Sequence, residues 1–259
     1  MTSPDIAALD KKDGVVILPI GAIEQHGAHL PVLTDTLIAG GVVEAALARL
    51  TDEVAAWVLP PMSYGKSNEH LNFAGTISLS AATLTAVLHD IAQSIQRAGF
   101  RRLAFVNGHG GNTPLLQMVA RDIRVATGLM VFVIQPGSYD NLPFELPPSE
   151  MKYGLHAGET ETSLILHLAP DTVQMDKAVR EIPDFPETDT PLFFFGSVSA
   201  AWLADDWSES GVYGDATRGT AEKGAQLLAA YAANLVKVLT AVSTFEVPHP
   251  HNNTSSTDT

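Results

Sequence analysis

The stretch LPIGAIEQHGAHLPVLTDT, residues 18–36, places Glu24, His26, His29 and Asp35 close together at the end of an apolar run. Glu24 and His26 are separated by one residue, a spacing that turns both side chains to one face of an extended chain. Imidazoles and carboxylates so placed can ligate a divalent cation or transfer protons. Asp35 also suits a helix cap, and His29 reads as a loop residue outside any ligand set. A second cluster is VNGHGGN, where glycines flank His109 and let the backbone turn sharply against a neighbouring group, although a plain glycine turn has the same pattern. In a third, HAGETETS, His156, Glu159 and Glu161 stand at the start of a helix whose dipole favours carboxylates with or without a metal. Glu69 and His70 in SNEH otherwise read as a solvated loop.

The rest of the chain limits the chemistry available. With no cysteine among 259 residues, thiolate metal sites, disulfides and cysteine nucleophiles are excluded, leaving imidazole, carboxylate and hydroxyl groups. A formal charge of −14 argues against nucleic acid as a partner. No apolar run approaches the roughly 20 residues of a membrane span, and the first residues lack a basic start followed by an apolar segment. The expectation is a cytoplasmic protein that does not engage membranes.

The clusters need a scaffold that gathers them, and the hydropathy pattern supplies one. Residues 15–20 (VVILPI) read as a buried strand and 36–50 as a helix, followed by a strand around 58–62, a helix over 82–98 and a strand over 103–106. The alternation continues with a helix over 113–127, a strand over 130–135, and helices over 159–168 and 220–242. It implies an α/β fold, a three-layer α/β/α sandwich with a mainly parallel central sheet. Residues 1–247 are expected to form a single domain and the polar tail 248–259 to be disordered. Two segments stand outside the rhythm, the proline-rich 140–150 and the aromatic 184–215. Loops of that length usually cover a site or an interface. In such sheets ligands gather beyond the carboxyl ends of the strands, so all four polar clusters can reach one rim. Several imidazoles and carboxylates on one rim suit a pair of divalent ions, which would hold a hydroxide and polarise a carbonyl for amide or ester hydrolysis.

These residues carry a resemblance. LPIGAIEQHGAHLP with Asp35, YGKSNEHLNFAGTISL, VNGHGGN and HAGETETS, in that order over residues 15–170, resemble the creatininase family of metal-dependent hydrolases. The resemblance implies a creatininase-like fold, a homohexamer, and two divalent ions (Zn²⁺, Mn²⁺ or Fe²⁺) bound by Glu24, His26, Asp35 and His109, with Asp35 as the bridge. It also implies hydrolysis of a C–N bond in a small cyclic or linear amide by attack of a metal-bridging hydroxide. Creatininase has a tyrosine and a metal-binding glutamate directly after its NGH histidine, where this chain has Gly110 and Gly111. Glu159, preferred over Glu161, is the expected fifth ligand; on one helix the two point to roughly opposite sides. His156 is expected to act as a proton shuttle, and His70, Gly110 and Ser67 to contact substrate. The tryptophans of the creatinine pocket are absent, with Lys152, Tyr153 and Leu155 before HAGE, so creatinine is not the expected substrate.

Alternatives within the family are a lactone or cyclic ketone, or a short peptide. From other classes come a phosphate-binding transferase and a non-catalytic, metal-containing assembly protein. The only GK[ST] match, Gly65-Lys66-Ser67, has Pro60 where a P-loop needs its first glycine, and no GxSxG marks a serine hydrolase.

Overall fold

Strand β1 (Val15–Ile20) and strand β3 (Arg102–Asn107) are buried along their whole length and pair in parallel at the centre of a four-stranded sheet. The computed structural model describes residues 1–51, 54–137, 142–186 and 189–247. Around these strands the chain runs through α1 (Ser3–Ala8), α2 (Thr34–Leu47), β2 (Ala56–Val58), α3 (Ala81–Arg97), α4 (Thr113–Thr127), β4 (Met130–Ile134), α5 (Pro148–Tyr153), α6 (Glu159–Leu168) and α7 (Ala221–Thr244). The sheet order is β2-β1-β3-β4 and every pair is parallel.

Successive side chains of a strand point to opposite faces, and the two faces meet different helices. Val15 and Ile17 of β1, with Ala104 and Val106 of β3, pack with Val42 of α2, Ile165 of α6 and Leu235 of α7. Val16, Leu18 and Ile20, with Leu103 and Phe105, pack with Leu84 and Leu88 of α3 and Leu116 and Val119 of α4. This is the α/β/α layering expected from the alternation, and burying both faces favours near-continuous apolar strands such as VVILPI. By length and composition α7 could cross a membrane. Here it lies along α2 and α6 and buries Leu227, Leu235 and Leu239 against them.

The differences from the pattern are local. Helix α2 begins at Thr34, with Leu33 at its cap position and no side-chain cap bond, so Asp35 sits inside the first turn and is not a cap. Strand β2 ends at Val58, short of the expected 58–62, because Pro60 and Pro61 carry no N–H for a ladder; Met62 keeps an isolated bridge to Ile20. Helices α1 and α5 arise where the periodicity shows none. The described part of 184–215 folds around an aromatic cluster of Phe185, Phe194 and Tyr213, with Trp202 and Trp207 packed against it. The tail 248–259 lies outside the described residues.

Candidate metal centre

Because β1 and β3 are in register to their ends, with Ile20 opposite Asn107, the loops EQHG and NGHGG leave the sheet side by side at its carboxyl edge. The β3 loop then passes directly over α2. A Cβ on Gly108 would stand 2.5 Å from the Asp35 carbonyl oxygen, so only glycine allows this approach. Asn107 fixes the turn, donating from Nδ2 to the His109 carbonyl at 2.6 Å and accepting from the His109 N–H at 3.3 Å.

Asp35 is the centre of the arrangement. Its Oδ1 lies 3.1 Å from His26 Nε2 and its Oδ2 lies 3.3 Å from His109 Nδ1, so its two oxygens address different imidazoles. Glu24 Oε2 is 3.1 Å from His109 Nδ1, while Glu24 Oε1 is 3.5 Å from His156 Nδ1 and 3.8 Å from His70 Nε2. Glu161 Oε2 stands 3.7 Å from His26 Nε2. Two groups of converging ligand atoms result, Glu24 with Asp35 and His109, and His26 with His156 and Glu161; Glu24, His70 and His156 form a third.

The electrostatics reflect crowded negative charge. Burial alone would lower the imidazoles, but the charge and hydrogen bond of Asp35 outweigh it and hold His26 up at about 9. Burial likewise opposes His109, and Glu24 with Asp35 hold it well above the usual histidine range. Burial would raise the two acids, yet Asp35 is held low by His26 and His109, and Glu24 by His109. Glu161 is pushed up to about 7, chiefly by burial. Burial, then His26 and His70, depress His156 well below its ordinary value. Despite these neighbours, both Glu24 oxygens and Asp35 Oδ2 are buried without a hydrogen bond among the described residues. Leaving carboxylate oxygens dry and unpaired is costly. A nitrogen-and-oxygen donor set around such atoms fits divalent ions of the Zn²⁺, Mn²⁺ or Fe²⁺ kind.

A cavity of about 260 Å³ opens onto this cluster. Glu24, Asp35, His109, His156 and Glu161 form its polar floor, and Leu155, Phe195 and Trp202 its apolar wall. Phe195 is 57% exposed at the rim. Trp202 meets the His70 ring edge-on at 6.4 Å.

The structure brings Glu24, His26, Asp35, His109 and His156 together, and His70 and Gly110 line the cavity. Two expectations do not match their placement. Glu159 points away from the cluster, into a pocket where Arg218 Nε reaches its Oε2 at 2.8 Å and Lys223 Nζ pairs with its Oε1. The carboxylate that faces the imidazoles is that of Glu161, two residues on, which also accepts the Ala157 N–H at 2.6 Å. Ser67 is fully buried and is not part of the cavity wall; its N–H donates to Ser78 Oγ. Phe195 and Trp202 come from the aromatic segment 184–215, expected to cover a site or an interface, although no periodicity in it assigns either residue a face. Glu69, read as solvated, lines the cavity.

The family model described as "Creatininase: Creatinine amidohydrolase" matches residues 1–239. The chain is 37% identical over 230 residues to the mycofactocin precursor peptide peptidase of Mycobacterium tuberculosis (strain ATCC 25618 / H37Rv), covering 86% of this chain and 83% of that one. It is 34% identical over 195 residues to the creatinine amidohydrolase of Pseudomonas putida, covering 68% and 73%. Its fold superimposes on a mutant creatininase of the Zn-Zn type with a TM-score of 0.72 at 29% identity, covering 92% of this chain and 95% of the other.

Proposed function

The chain belongs to the creatininase family of hydrolases, and from that premise we propose that it is a dinuclear metal-dependent hydrolase of an amide C–N bond. The observation that carries the reading is the set of buried carboxylate oxygens that lack hydrogen bonds, Glu24 Oε1 facing His26 and Glu24 Oε2 and Asp35 Oδ2 facing His109. Glu24, Asp35 and His109 would hold one ion, and His26, Asp35 and Glu161 the other. When bound, the pair would supply a hydroxide nucleophile at neutral pH and polarise the substrate carbonyl.

The remaining steps fall to side chains. His156 donates from Nε2 to the Gln25 carbonyl at 2.6 Å, which leaves Nδ1 with its lone pair towards the site. With Nε2–H committed to the Gln25 carbonyl, Nδ1 is the atom that would take a proton from the attacking water and pass it to the leaving nitrogen. His70 accepts from Gln25 Nε2 at 2.9 Å through Nδ1, so its Nε2–H is turned towards Glu24 and the cavity, where it can donate to substrate. Leu155, Phe195 and Trp202 exclude water from one side of the bound amide.

The cavity fits a small amide. A second reading, cleavage near the end of a short peptide, is favoured by the exposed Phe195 at the rim and by Gly110, above which a Cβ would meet nothing within 4 Å. A purely structural metal is disfavoured, because the ligand cluster forms the floor of an open cavity. The same reading keeps the protein in the cytoplasm as a homohexamer acting on a small substrate. The test is to strip the protein with a chelator, restore Zn²⁺, Mn²⁺ or Fe²⁺ singly, and assay creatinine, N-acyl amides and short peptides. Hydrolysis should vanish and return with the ions; full activity in verified metal-free protein would sink the proposal.

A further inference from the structure

Two adjacent glycines in NGHGGN meet different surroundings. A Cβ on Gly110 would enter open space, whereas a Cβ on Gly111 would overlap Glu69 Oε1 and stand 2.5 Å from His109 Nε2. What occupies the space above Gly111 is therefore the Glu69 carboxylate, brought in by a short helical turn, Asn68–His70, from the other side of the rim.

The two ring nitrogens of His109 face opposite ways. Nδ1 is turned to Glu24 and Asp35, at 3.1 and 3.3 Å. Nε2 is turned outwards, 3.0 Å from the Lys66 carbonyl oxygen and 3.5 Å from Glu69 Oε1. An imidazole that offers the Nδ1 lone pair to a cation carries its proton on Nε2, and that proton needs an acceptor. The Lys66 carbonyl supplies the hydrogen bond. At 3.5 Å the Glu69 carboxylate is beyond a normal hydrogen bond, but its charge lies beside the N–H dipole in a sheltered position, with the side chain 17% exposed. Glu69 is absent from the three groups of converging ligand atoms.

We propose that Glu69 is a positioning residue for His109: its charge beside Nε2–H supports the tautomer that the Lys66 carbonyl sets and raises the donor strength of Nδ1, and Gly111 is glycine because that carboxylate needs the room. Outer carboxylates of this kind orient ligating histidines and strengthen their hold on metal, and their loss typically costs 10–100-fold in affinity. The inference rests on the metal-centre reading above, and its test reads binding, not turnover.

Metal-depleted full-length protein is titrated with Co²⁺, following affinity, stoichiometry and the visible spectrum, for wild type, Glu69→Gln, Gly111→Ala and the double variant. Glu69→Gln should weaken one of the two ions about 10–100-fold and alter only its absorption bands, with unchanged circular dichroism. Gly111→Ala crowds both the carboxylate and the His109 ring, so it should weaken the same ion at least as much as Glu69→Gln, and the double variant should lose little more than Gly111→Ala alone. Wild-type affinity for both ions in Glu69→Gln overturns the proposal while leaving the metal centre intact. Wild-type protein that binds no Co²⁺ overturns the metal centre itself, and this proposal with it.

Discussion

Glu159 and Glu161 leave the first turn of α6 in opposite directions: Glu161 Oε2 faces His26 Nε2 at 3.7 Å, while Glu159 Oε2 takes Arg218 Nε at 2.8 Å. Conservative changes at the two positions should therefore separate function from stability. Glu161→Gln should lose one ion and most activity, and in metal-free form it should melt within a few degrees of metal-free wild type. Glu159→Gln should keep its metal content but lose about 1–3 kcal/mol, because Arg218 and Lys223 lose a charged partner. Metal analysis and urea denaturation of both variants check this, and the reverse pattern would restore Glu159 as ligand.

Asp35 presents one oxygen to each imidazole of the pair, so Asp35→Asn should reduce the bound ions from two to none or one and abolish hydrolysis. Chelation of the wild-type protein should act in the same direction on stability. An ion present at 100 times its dissociation constant stabilises the fold by about 2.7 kcal/mol, so the melting temperature should fall by roughly 5–10 °C when it is removed. A melting temperature indifferent to chelator would contradict the site.

His29 is buried, and burial together with the nearby His26 lowers its pKa from 6.5 to about 4. Between these values the unfolded chain binds the extra proton and the folded one does not. Stability from this group is thus complete above pH 6.5 and is lost as the pH falls to 4, by at most about 3 kcal/mol. Its Nε2 meets Thr162 Oγ1 at 3.0 Å, and Nδ1 has no hydrogen bond among the described residues. In His29→Gln the fall in unfolding free energy from pH 7 to 4 should be shallower than in wild type; equal slopes would refute the assignment.

Phe195 projects from the cavity wall with little packing of its own, and its removal should be felt by substrate more than by the fold. Phe195→Ala should change stability by less than about 0.5 kcal/mol and raise KM several-fold with a smaller effect on kcat. Steady-state kinetics on whichever amide or peptide is turned over measures the split.

The central strands and most of the cluster were legible in the chain itself. VVILPI and LAFV are continuous apolar runs because both faces of a parallel sheet are covered, and the loops that follow them carry Glu24, His26 and His109 whatever the details of packing. Glycine at 108 is legible for a related reason, since a loop crossing a helix at close range tolerates no Cβ.

Tertiary structure decided what spacing leaves open. Helical periodicity says that Glu159 and Glu161 cannot face the same way; the rotation of α6 about its axis chooses between them, and that rotation is set by packing on α7 and α2. The contact of Glu69 with His109 joins segments 40 residues apart, and the wall of Phe195 and Trp202 is built by a loop without periodicity. Local sequence determines which side chains stand near the ends of strands, because those positions follow from the backbone repeat. Which of them converge depends on distances between elements, and only the packing of the whole chain sets those.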